Sequence, residues 1–160
     1  MATGDVASFD RFARYYDLVV PGADATQLGR ALDLADRPIT RLVDVGGGTG
    51  RAASALTVEQ RIVLDALHHI YDWEAVFEEA FRVLADGGVL AISDFDPTTV
   101  LGRGLAIFEH LVGFESQFEP PQELCRQLEQ AGFETHIVDS GFGYTVAGIV
   151  SKREHKSQPP

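Results

Sequence analysis

The sequence predicts an α/β layered fold with a mainly parallel sheet. Three observations carry the prediction. The runs "RLVDV" (41–45), "RIVLD" (61–65) and "VLAIS" (89–93) are apolar without alternation, as strands covered on both faces are. Segments with helical apolar spacing lie before, between and after them. A glycine-rich stretch, "GGGTG", follows the first run directly, where a strand of such a sheet turns toward a helix.

The elements follow in chain order. Ser8 is placed to cap a first helix with Phe9, Phe12, Ala13 and Tyr16 on one face, and the Pro21-Gly22 pair ends it. Asp24 is placed to cap a second, with Leu28, Ala31, Leu32 and Ala35 at helical spacing before Pro38. The strand 41–45, the glycine turn and a short helix near 50–57 come next, then the run 61–65. Asp72 heads the clearest helix, where Trp73, Val76, Phe77, Ala80, Phe81 and Leu84 fall at i, i+3, i+4, i+7, i+8 and i+11. "ADGG" stops it. After the strand 89–93, residues 99–114 read as a helix whose start is loosened by Gly102 and Gly104. Pro121 suits the first turn of a helix holding Leu124, Cys125 and Leu128 and closed by Gly132. "THIVD" and "YTVAGIV" read as two final strands paired antiparallel, for about five strands in all. Residues 1–150 form one domain, with 1–37 as an N-terminal helical lid, and 151–160 form a flexible tail.

Composition narrows the function. At 160 residues, 45% of them apolar, the chain is large enough to bury a core. One cysteine, Cys125, gives no internal disulfide and fits a reducing, cytoplasmic compartment. No apolar run reaches the ~20 residues that span a bilayer. The formal net charge is -11, and so acidic a body repels phosphate backbones, which argues against nucleic acid as a partner. Lysine occurs only at Lys152 and Lys156. That pattern fits a surface adapted to a salt-rich cytoplasm, or a chance deficit on an ordinary acidic one.

"VDVGGGTG" is the most informative motif. Asp44, Gly46, Gly48 and Gly50 give D-x-G-x-G-x-G at a strand-to-helix turn. Glycines there let backbone N–H groups approach a ligand closely. The dinucleotide fingerprint G-x-G-x-x-G fails at its third glycine, where Arg51 stands. A phosphate loop is excluded, because no G-K-[ST] ending follows.

This spacing resembles the first motif of the class I S-adenosylmethionine-dependent methyltransferases, and the resemblance extends along the chain. "FDRFARYYDLV" is similar to the family's N-terminal substrate lid, and "ALHHI" to the motif after its fourth strand. "FRVLADGGVLAISDFDP" is similar to its fifth-strand region, and "PPQELCRQLEQAGF" to its last helix. The small-molecule branch that includes quinone-biosynthesis methyltransferases is the nearest in kind. The resemblance implies a shortened Rossmann-like transferase fold using S-adenosyl-L-methionine. Gly46, Gly47, Gly48, Thr49 and Gly50 would line the cofactor, with Asp44 supporting its ammonium group. Asp65 would receive the ribose hydroxyls, and Leu67 would lie in the same site. The local alternatives are a turn residue at Asp44 and a solvated acid at Asp65.

Two strands and two helices that the family places between its second strand and the "LHH" segment have no counterpart here. From mean element lengths the gap is roughly 45 residues. The run 61–65 therefore joins the start of one strand to the end of another. Right-handed crossovers and the need to cover both faces favour the order 61–65, 41–45, 89–93, 143–150, 134–139. That order leaves 61–65 as an exposed edge, through which a homodimer could pair.

Methyl transfer needs alignment of nucleophile, carbon and sulfur, plus a base when the acceptor carries a proton. His68 and His69 are the candidates for base or acceptor contact. The competing reading is a pair at the start of a helix, one packed and one solvated. Tyr15, Tyr16 and Asp94 are candidates to line the acceptor pocket, and His110 and Phe114 lie on the helix that would roof it. No metal-spaced Cys/His cluster is present, so no metal is expected. The functional expectation is methyl transfer to a small-molecule acceptor. The alternatives are a shortened relative that only binds or interacts, and a dinucleotide oxidoreductase, which the glycine spacing disfavours.

Overall fold

The computed structural model describes residues 25–36, 43–45, 62–64, 67–112 and 116–151. In chain order these give α1 (Ala25–Leu32), β1 (Val43–Val45), β2 (Ile62–Leu64), a 3-10 turn (Leu67–His69), α2 (Trp73–Val83), β3 (Val89–Phe95), α3 (Val100–Val112), α4 (Pro121–Gln130), β4 (Glu134–Asp139) and β5 (Gly143–Ile149). The expected helices over 8–20 and 50–57 and the tail 152–160 lie outside the described residues.

The strands form one sheet in the order β1-β2-β3-β5-β4. β1 with β2 and β2 with β3 are parallel ladders of three residue pairs each. β3 pairs antiparallel with β5 over seven residues, from Val89↔Ile149 to Phe95↔Gly143. β4 pairs antiparallel with β5, with an irregularity between Ile137 and Asp139. The final antiparallel pair is as expected. β5 alone runs against the other four strands, so the sheet is mixed, and its longer ladders are the antiparallel ones.

The order corrects one expectation. β2 lies between β1 and β3, not beyond β1. The physical reason is α1. With β2 inside, both crossover helices fall on one face and leave the other poorly covered, but Leu28, Ala31 and Leu32 of α1 cover that face over β3 and β5, packing with Val89, Ala91, Ala147 and Ile149. Because β2 is hydrogen-bonded on both sides, it is no edge, and pairing of two copies through 61–65 is removed.

Alternation along β3 sets the two layers. Val89 and Ala91 face α1. Leu90 and Ile92 face a larger cluster built from Phe77, Ala80 and Leu84 of the α2 region, Leu124 and Leu128 of α4, and Tyr144, Val146 and Val150. α2 begins at Asp72, whose carboxylate accepts from the Ala75 N–H at 3.0 Å. Capping of this kind is worth about 1 kcal/mol. α4 begins with Pro121 at its first position and ends before Gly132, which has φ +103° and lies where a Cβ would stand 2.9 Å from the Phe81 ring. Only glycine meets both demands.

α3 is oriented unlike its neighbours. Asp96 turns the chain after β3, accepting from the Thr98 N–H and hydroxyl, and the Thr99 hydroxyl accepts from the Gly102 N–H at 3.0 Å. A Cβ on Gly102 would run into the Asp96 carbonyl oxygen, so this glycine lets the helix close onto the turn. Gly102 and Glu109, seven residues apart on one face, are buried, while Val100, Leu101, Ile107, Phe108 and Leu111 are exposed.

Candidate active site

β2 and β3 run parallel, so their carboxyl ends lie at the same edge of the sheet, where open α/β sheets bind ligands. β1 ends there too, at Val45, directly before the glycines of residues 46–50. β2 leads into the 3-10 turn that carries His68, and Asp94 is the last residue but one of β3.

The two side chains meet. His68 Nδ1 lies 2.8 Å from Asp94 Oδ1, and the His68 backbone N–H donates to Oδ2 of the same carboxylate at 3.2 Å. The Phe95 N–H adds a third donor to Oδ1, at 2.8 Å. Both side chains are buried, with relative exposures of 4% for His68 and 5% for Asp94. An ionised carboxylate only accepts hydrogen bonds, so a neutral imidazole beside it carries its proton on Nδ1 and its lone pair on Nε2. That is the tautomer a general base needs if Nε2 is to receive a proton.

Aromatic rings enclose the pair. Phe118 stacks on the His68 ring at 4.7 Å and 23°. Phe95 lies 6.4 Å from His68, 6.5 Å from Phe118 and 4.9 Å from Phe142. The segment bearing Phe118 is tied down at two points. The Gln117 N–H donates to the His68 carbonyl at 2.8 Å, and the Tyr144 hydroxyl donates to the Glu119 carbonyl at 3.0 Å. Burial first, then the nearby Asp94, Asp96 and Glu119 carboxylates, hold the Tyr144 phenol well above its ordinary range, so it remains a neutral donor.

The other candidates separate. Leu67 has a fully buried side chain in the larger core cluster, and its carbonyl accepts from the Trp73 indole N–H at 3.0 Å. His110 is exposed on α3. Asp44 lies in β1 and His69 in the 3-10 turn. Gly46, Gly47, Gly48, Thr49, Gly50, Asp65, Tyr15, Tyr16 and Phe114 lie outside the described residues. The strand that precedes Asp65 stands between β1 and β3, not beyond β1. Phe118 and Phe142 were not foreseen. The signal for Phe118 was an aromatic residue in a polar loop just before Pro120-Pro121, a loop that the double proline holds in place. Among the described residues no group of three or more His, Cys, Asp or Glu could hold a metal ion, and no helix is long and apolar enough to cross a membrane.

Residues 62–137 match a family model described as a methyltransferase domain. No curated protein matches the sequence. Among solved structures, one similar chain is a SAM-dependent methyltransferase from Thermotoga maritima, described as a possible histamine N-methyltransferase, with 20% identity, TM-score 0.64, and 91% of this chain and 99% of that one covered. Another comes from the complex between the Haloferax volcanii Trm112 methyltransferase activator and a methyltransferase, with 13% identity, TM-score 0.66, and 93% and 98% covered. A third is human N-acetylserotonin methyltransferase in complex with SAM, with 16% identity and TM-score 0.63, where 80% of this chain spans about half (52%) of that one. The chain thus has the fold of these methyltransferases, and residues 62–137, a little under half of it, match the methyltransferase-domain model.

Proposed function

We propose that the chain transfers a methyl group from S-adenosyl-L-methionine to a small-molecule acceptor, with His68 as the proton-accepting base and Asp94 as the residue that positions it. The observation that carries this reading is the buried His68–Asp94 pair at the carboxyl ends of parallel strands. The end of β1 directly before Gly46 suits a backbone cradle for the cofactor at the same edge. Asp44, Gly46, Gly47, Gly48, Thr49 and Gly50 would hold it there. Bound, it supplies a methyl group already activated on a sulfonium sulfur.

The chain's own residues do the rest. Asp94 keeps the His68 proton on Nδ1, and Nε2 accepts the proton that the acceptor loses. Phe118, stacked on the imidazole, keeps water from that ring and so strengthens the contact between base and carboxylate. Asp94 acts through His68 rather than on the acceptor, since its carboxylate already receives three donors. His69 and Tyr16 are assigned to the acceptor side, and Asp65 and Leu67 to the cofactor side, on the family resemblance alone.

Calorimetry with S-adenosylmethionine and S-adenosylhomocysteine tests the cofactor, and methyl transfer to a panel of small hydroxyl and amine acceptors tests the reaction. Binding should be seen below about 1 mM. Asp94→Asn should cut kcat by at least tenfold to a hundredfold with cofactor affinity unchanged, and shift the pH–rate profile. Absence of heat with either ligand would remove the proposal.

A further inference from the structure

The exposed face of α3 is apolar along its whole length. At 100° per residue, Val100, Gly104, Ile107 and Leu111 line the outward side, with Phe108 and Leu101 on one flank and Arg103 on the other. Val100 is 88% exposed and Leu111 77%. No carboxylate faces outward from this helix, since its one acid, Glu109, is buried. Such a stripe exposes on the order of 500 Å² of apolar surface, at the upper end of what a solitary soluble protein shows.

The stripe complements itself. Laid antiparallel on a copy about a two-fold axis between Leu105 and Ala106, Val100 faces Leu111 and Gly104 faces Ile107. A Cβ at Gly104 would meet nothing within 4 Å, so the space above it is open to a large side chain. A two-fold axis brings like flanks together, so the same register sets Phe108 against Leu101 on one side of the seam and Arg103 against His110 on the other. Burying both stripes removes about 1,000 Å² from water, the lower bound for a specific interface. An isologous contact of this kind closes on itself and stops at two.

We propose that two copies of this chain associate through α3 in that antiparallel register. Each copy carries a formal charge of -11, so repulsion opposes the pairing and added salt strengthens it. This interface is separate from the sheet edge and independent of cofactor binding.

Sedimentation velocity on the full chain, over a hundredfold range of concentration and at low and high salt, tests the proposal. The expected result is a monomer–dimer equilibrium that salt shifts toward dimer. Leu111→Glu, on an exposed site that leaves the fold intact by circular dichroism, should raise the dissociation constant about a hundredfold. The register is read by cysteine pairs in a Cys125→Ser background. Val100→Cys with Leu111→Cys should oxidise to a linked dimer, whereas Val100→Cys alone, roughly 16 Å from its mate in this register, should not. A wild type that stays monomeric at every concentration overturns the proposal, and points to residues 1–24 or a foreign protein as the cover. A dimer indifferent to Leu111→Glu also overturns it.

Discussion

α2 and α3 both carry apolar residues at helical spacing, yet they face opposite ways. In α2, Trp73, Phe77 and Ala80 are buried. In α3, Gly102 and Glu109 are buried and Val100, Leu101, Ile107, Phe108 and Leu111 are exposed. The difference lies in how each helix is attached. α2 belongs to the crossover between parallel neighbours β2 and β3, which must return across the sheet face. α3 leaves the antiparallel part of the sheet through the Asp96 turn, and the close approach of Gly102 to the Asp96 carbonyl selects the face that turns inward. Periodicity identifies an apolar stripe, but the geometry of the first turn decides whether it becomes core or surface.

The largest effect should come from the buried stripe. Phe77→Ala should lower unfolding stability by about 3–5 kcal/mol in a urea titration, because Phe77 is 1% exposed in the larger cluster. A loss under 1 kcal/mol would mean that α2 contributes no more core than α3.

An intermediate effect should appear at Tyr144, on the sheet side of the cluster that α2 covers. Tyr144→Phe removes the hydroxyl bond to the Glu119 carbonyl and should cost ~1 kcal/mol near neutrality. The folded protein holds the phenolic proton to higher pH than the unfolded chain. That contribution is complete below the unfolded value near 10 and falls as pH rises toward the folded value, by about 1.4 kcal/mol per unit. The gap between wild type and Tyr144→Phe should therefore shrink and then reverse above about pH 10. Paired urea titrations across the alkaline range check this, and a constant gap would place the phenol in water.

The smallest effect belongs to the exposed stripe. At concentrations low enough to keep copies apart, Leu111→Ala should change stability by no more than about 0.5 kcal/mol. A loss of 2 kcal/mol or more would put Leu111 in a core and erase the contrast with α2.

Much of the fold was legible in the residues. Asp72, the i, i+3, i+4 pattern after it and Pro121 marked α2 and α4 within a residue or two, because caps and fixed φ act locally. The strands were legible as apolar runs. The slot of β2 was not, because handedness fixes a crossover only once the slot is known, and the deciding packing came from α1, distant in sequence. At the site, His68 and Asp94 were each named, but not as partners. They are 26 residues apart, and no local pattern joins them. The ring of Phe118 was missed because a single aromatic residue in a loop has no period.

The carboxylate of Asp94 is an extension of β3, and β3 is held by a neighbour on each side. The imidazole at residue 68 therefore takes its position from the rigid centre of the sheet and not from the short turn that carries it. Loosening of that turn, or of the chain on either side of it, would leave the ring indexed to the strand, so in the proposed reaction Nε2 would keep its bearing from one turnover to the next.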